Sequence, residues 1–182
     1  GFFTFSKNAT KEVHDRMYSK FQLTKKELPH FRTLHSLGFT QLGYSREKVM
    51  KDAHYKEIGK TCGIELTYAI WDEDNGGVFS SDSPFLSLIE LAKARNITTE
   101  QQFNLDEHNQ DLDITTLKRL EKEILNYKKD RGTVDWNDMI NEFVKSKLCP
   151  KLKVAFIDEA QDLSIMQWKV VEKIRDNCEI LY

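Results

Sequence analysis

Asp158, Glu159, Gln161 and Asp162 crowd into five positions directly after the mostly apolar run Leu152 to Ile157. Two adjacent carboxylates ending such a run can divide a reaction between them. One holds the magnesium of a bound nucleotide, and the next takes a proton from the attacking water. This is the arrangement called Walker B. An acidic residue after a strand also serves as the cap of the following helix, and that plainer reading stands beside the first. The third carboxylate and the amide exceed what one helix start requires, which favours a site.

Positioning these groups falls to the run before them. It follows Pro150, is rich in β-formers and is too short for a free-standing helix, so it reads as a buried strand of a parallel sheet. Ligands sit at the carboxyl ends of strands in open α/β sheets, so Asp158 and Glu159 would project into a crevice.

The remaining elements follow in order. Phe2 to Phe5 reads as a strand leading into a helix with Ala9, Val13 and Met17 on one face and Ser6 or Asn8 as its cap. Thr33 can cap a second helix with Leu34 and Leu37 inward and Gly43 closing it. From there to Asp130 the composition turns charged and helical. Ser83-Pro84 starts one helix whose face is Phe85, Leu88, Ile89 and Ala92, and Thr98 or Thr99 with Gln101 or Gln102 suggests a capping box. Leu117, Leu120, Ile124 and Tyr127 mark a longer helix whose other face is basic: Lys118, Arg119, Lys122, Lys128 and Lys129. Asp135 caps a helix burying Trp136, Met139, Ile140 and Phe143. Ser164 with Gln167 opens another, carrying Trp168, Val171 and Ile174, before a last strand. The expected organisation is therefore residues 1–43 and 131–182 as two pieces of an α/β sheet domain, with a mostly helical subdomain inserted over 44–130.

Composition bounds the function classes. The chain has 182 residues, 31% charged and 40% hydrophobic, with a net charge of -2, so any nucleic-acid contact must be local rather than driven by an overall basic field. Cys62, Cys149 and Cys178 are odd in number and form no Cys-x-x-Cys pair, which points to reduced thiols and away from zinc. No apolar stretch approaches the roughly 20 residues of a membrane span, and no signal peptide is visible. An intracellular, cytoplasmic protein with no membrane partner is expected. The sequence opens and closes within strand-like runs, Gly1 to Phe5 and Cys178 to Tyr182, which reads as a fragment of a longer polypeptide.

Two motif-like stretches do not qualify. Gly59-Lys60-Thr61 resembles the tail of a phosphate-binding loop, but His54 stands where that motif needs its first glycine, and the plainer reading is a helix end. Trp71 to Gly77 resembles a calcium loop, yet Gly76 occupies a ligand position and Ser83 replaces the bidentate glutamate, which leaves a solvated acidic turn.

Four stretches together resemble the UvrD/Rep-like superfamily 1 DNA helicases. Thr4-Phe5-Ser6-Lys7-Asn8-Ala9 is similar to motif Ia, and Phe31-Arg32-Thr33-Leu34-His35-Ser36 to the next motif. Asp135-Trp136-Asn137-Asp138-Met139-Ile140 resembles Asp-Phe-x-Asp-Leu-Leu, and Asp158 to Asp162 resembles motif II. They occur in the family's order. Lys7-Asn8 reverses the usual order, and Leu34 replaces a phenylalanine.

The resemblance implies a partial RecA-like parallel sheet with an inserted helical subdomain, from an ATP-driven translocase of bacterial or viral type moving on single-stranded DNA. It implies that Asp158 holds magnesium, through water, and Glu159 activates water. Gln161 and Asp162 would couple nucleotide state to a second RecA-like domain of the parent chain. Phe5, Ser6, Lys7, Asn8, Thr33 and His35 would line the single-strand path. An aromatic ring there can stack on any base, contributing about 1–3 kcal/mol without reading sequence.

The sequence holds no Gly-x-x-x-x-Gly-Lys-Thr, and a missing arginine finger alone costs about 10³–10⁵ in rate. This chain by itself is expected to hydrolyse ATP negligibly, which a steady-state assay with single-stranded DNA checks. Two other classes stay open: a DNA-binding or assembly module that kept the fold without the motor, and a motor fused to a nuclease.

Overall fold

Four short parallel strands and eight α-helices make up the described part of the chain. The structure is a computed structural model and describes residues 1–66, 81, 83–105 and 112–182. In order the elements are β1 (Phe2–Thr4), α1 (Lys7–Phe21), β2 (Phe31–Thr33), α2 (Leu34–Gln41), α3 (Asp52–Cys62), α4 (Pro84–Arg95), α5 (Thr99–Leu105) and α6 (Ile114–Arg131). Then come α7 (Trp136–Lys145), β3 (Leu152–Ile157), a 3-10 turn (Ala160–Asp162), α8 (Ile165–Arg175) and β4 (Cys178–Leu181). Of the described residues, 1–44 and 139–182 form one compact unit, and 45–66, 81, 83–105 and 112–138 form another. The expected acidic turn at 71–77 lies outside the described residues.

In the first unit the strand order is β2-β1-β3-β4, and every pairing is parallel. Parallel neighbours need crossovers, which α1 and α8 supply between β1 and β2 and between β3 and β4. Side chains alternate across a strand, and Phe3 and Ala155 point to the face that α2, α7 and α8 cover. There Leu34, Leu37, Ile140, Phe143, Val170 and Ile174 are at most 1% exposed. Gly38 lets α2 approach α7, since a Cβ there would stand 3.3 Å from that of Phe143. The Lys173 ammonium donates to the carbonyls of Phe143 (2.7 Å), Val144 (3.2 Å) and Ser146, satisfying the carbonyls that end α7.

The opposite face carries a row of rings. Phe2 stacks on Phe31 at 5.8 Å and Phe156 on Tyr182 at 5.2 Å, while α1 covers β1 and β2 with His14 against Phe31. Over β3 and β4 that face is open, with Phe156 and Ile180 48% exposed. This corrects the expectation of a buried β3: only Ala155 of its six residues is buried. Trp168, expected on the buried face of α8, is likewise exposed, and Met166, Val170, Val171 and Ile174 make the contact instead.

The second unit has its own core of Tyr55, Ile58, Leu86, Ile89, Leu117, Leu120 and Ile124. Gly59 lies in the last turns of α3, where a Cβ would come within 2.6 Å of the Ile64 carbonyl oxygen, so its glycine serves chain packing in a helix end. The Thr98–Gln101 capping box forms in both directions, at 2.9 and 3.1 Å.

Charge is buried here too. Lys128, expected on the solvated basic face of α6, is 7% exposed and pairs with Asp135 and, at 2.7 Å, with Asp138. Lys93 bridges Asp135 at 2.7 Å and Glu90 at 2.8 Å, and Asn137 donates to Glu90 at 2.6 Å. Burial disfavours an ionised Asp135, yet Lys93 and Lys128 outweigh it and hold the carboxyl far below the usual range.

Candidate functional site

The strand order reverses between β1 and β3, because the chain steps from β1 to β2 in one direction and from β3 to β4 in the other. A ligand crevice forms outside the carboxyl ends of strands at such a point. The pairing puts Thr4 beside Thr33 and Phe3 beside Ile157, and the Asp158 amide donates to the Phe3 carbonyl at 2.8 Å. Thr33, Thr4 and Asp158 therefore stand side by side at three strand tips.

Polar groups at the first two tips serve helix starts. The Ser6 hydroxyl accepts the Ala9 amide at 3.3 Å, and the Thr33 hydroxyl accepts the Ser36 amide at 3.1 Å. Between the alternative caps of α1, Ser6 is the one used. Lys7 and Asn8 occupy the first turn of α1, Asn8 exposed. Phe5 is partly buried and packs against the first core. His35 lies in the first turn of α2 with Nδ1 sealed from solvent, and burial pushes its pKa down to about 4.

Thr4 stands in the stretch similar to motif Ia, but its sequence context assigned it no role of its own. It is fully buried, and its hydroxyl accepts the Ser6 amide at 3.2 Å, which fixes the turn from β1 into α1. The Thr-x-Ser spacing is the local signal for such a turn.

At the third tip the backbone is unusual. Glu159 has φ 53° and ψ 42°, a left-handed conformation that costs a residue with a side chain about 1–2 kcal/mol. The 3-10 turn locks it: the Asp162 amide donates to the Glu159 carbonyl at 3.0 Å, and Leu163 to Ala160 at 3.3 Å. The Gln161 amide donates to the Glu159 carboxylate and lies 3.4 Å from that of Asp162. Ser164 and Gln167 then form the capping box of α8, at 2.8 and 3.3 Å.

Asp158 differs from its neighbours. It is partly buried, and among the described residues its carboxylate has no hydrogen-bond or ion-pair partner. No three His, Cys, Asp or Glu side chains converge on a metal position among the described residues. Magnesium does not require such a cage, since it keeps water and takes one or two carboxylates together with substrate phosphates. An uncommitted carboxylate at a strand tip is the donor that suits it.

The sequence matches the UvrD/REP helicase N-terminal domain over residues 2–181. The chain belongs to this family. It is a helicase domain with a partial RecA-like fold, and its expected substrate class is nucleic acid. No curated protein matches it. No helix among the described residues is long and apolar enough to cross a membrane.

Proposed function

We propose that this helicase domain works in an ATP-dependent translocase on single-stranded DNA, with Asp158 and Glu159 as its hydrolytic pair. One observation carries the reading: a carboxylate without a partner among the described residues stands at the tip of β3, where the strand order reverses. Bound magnesium would neutralise charge on the nucleotide phosphates, and Asp158 would hold it through water. Glu159, exposed beside it, orients and deprotonates the attacking water. Gln161 and Asp162 link this site to a second motor domain.

Residues 1–43 and 131–182 are read as the motor domain and 44–130 as its inserted subdomain. The start of α1 suits a phosphate of the DNA backbone: Ser6, Lys7 and Asn8 surround backbone N–H groups at the positive end of a 15-residue helix. Thr33 and His35 extend that path along α2, and the partly exposed Phe5 ring would stack on a base. His35 is neutral at pH 7, so it contributes a hydrogen bond or a stacking surface there and not a charge.

Steady-state ATPase assays of the full-length protein with single-stranded DNA test the reading. Glu159→Gln lowers kcat by about 10²–10⁴, the range of a lost general base, and Asp158→Asn lowers it comparably while weakening magnesium dependence. Wild-type turnover in both variants would overturn the assignment. DNA binding without turnover in the wild type would indicate a binding module.

A further inference from the structure

The Gln161 side-chain amide touches the Glu159 carboxylate of the proposed hydrolytic pair, which adds a local task to the interdomain link proposed above. The left-handed backbone at Glu159 turns the chain back on itself after β3. The ladder bond of Asp158 fixes one side of that residue, and the Asp162 amide bond to the Glu159 carbonyl, 3.0 Å, fixes the other. Within that turn the Gln161 side chain points back along the chain. It donates to Oε2 of Glu159 and lies 3.4 Å from the Asp162 carboxylate.

A free glutamate side chain samples many rotamers, and ordering one costs up to about 2 kcal/mol. A carboxylate with one oxygen held by a neutral donor presents the other in a restricted direction. An amide can do this without adding charge beside Asp158; a second carboxylate in its place would repel Glu159, and alanine would release it.

We propose that Gln161 is a positioning residue for Glu159, holding one carboxylate oxygen so that the other faces the attacking water. This rests on Glu159 being the water-activating group, as proposed above. The Gln161 side chain is exposed, so its substitution does not threaten the fold.

The full-length protein, saturated with single-stranded DNA, provides the test. Gln161→Ala lowers kcat about tenfold or more, the scale of a misplaced catalytic group, with KM for ATP unchanged. Its Kd for a non-hydrolysable ATP analogue also stays at the wild-type value. Gln161→Glu falls further. In a Glu159→Gln background the same Gln161→Ala change has no additional effect, because the group it positions is already gone.

Three results would overturn the proposal alone while Glu159→Gln still lowers kcat as expected above: wild-type kcat in Gln161→Ala, a raised Kd for the analogue, or an equal fall of the residual rate in the Glu159→Gln background. A Gln161→Ala variant that loses only its stimulation by DNA would likewise reject positioning and assign the residue to interdomain coupling. Wild-type turnover in Glu159→Gln removes the underlying reading itself, and the proposal with it.

Discussion

His35 couples the stability of the first unit to pH. In the unfolded chain its ring titrates near 6.5, whereas burial lowers the folded value to about 4. Between those values the unfolded chain binds a proton that the native one refuses. Stability is therefore fully present above about pH 6.5 and is lost as pH falls toward 4, by up to about 3 kcal/mol. Urea unfolding at pH 7 and pH 5 should show a drop in wild type that His35→Gln largely abolishes; equal drops in both would refute the assignment. The residue types at this site were legible in the sequence, but their states were not. Nothing adjacent to His35 announces that its ring nitrogen is sealed. Glutamate is not a residue expected at positive φ, so the turn at Glu159 follows from the β3 ladder and the 3-10 turn around it rather than from local preference.

Caps decide where the helices begin, and they were the most readable elements. Ser6, Thr33, Thr98 with Gln101, and Ser164 with Gln167 all act as their spacing suggests, because a cap needs only partners within one turn. Gly43 likewise adopts positive φ just past α2, although Leu42 is the capping residue itself. Lys128 could not be read that way: its partners depend on α6 meeting the start of α7, and Lys93 reaches the same carboxylate from α4. Removing one member of a buried charge network leaves another uncompensated. Lys128→Met should therefore cost about 3 kcal/mol or more in a denaturant titration, whereas Arg16→Ala, which breaks an exposed pair with Glu12, should cost less than about 0.5 kcal/mol. Similar costs for the two would mean that removing Lys128 leaves no uncompensated buried charge at Asp135. Asp135 remains ionised well into acid, so its pairs with Lys93 and Lys128 outlast the loss of stability at His35.

At the scale of the molecule, the alternation of β-strands and helices and the parallel sheet were readable from apolar runs separated by capped helices. The open face over β3 and β4 was not, because an apolar run looks the same whether one or both of its faces are covered. Phe156, Ile180 and Tyr182 form an exposed apolar surface that favours association in dilute solution. Light scattering of this chain should show self-association that Phe156→Thr with Ile180→Thr reduces; unchanged scattering would show that the face contributes nothing to it.

The central strand also sets an order of events. β1 pairs with β3, whose residues come from the far end of the sequence, while every core side chain of the second unit lies between residues 45 and 138. On a translating ribosome the described core residues of the helical unit are all made before β3. Phe3 and its neighbours must meanwhile wait without one side of their sheet, which leaves nascent β1 open to misassociation until β3 arrives.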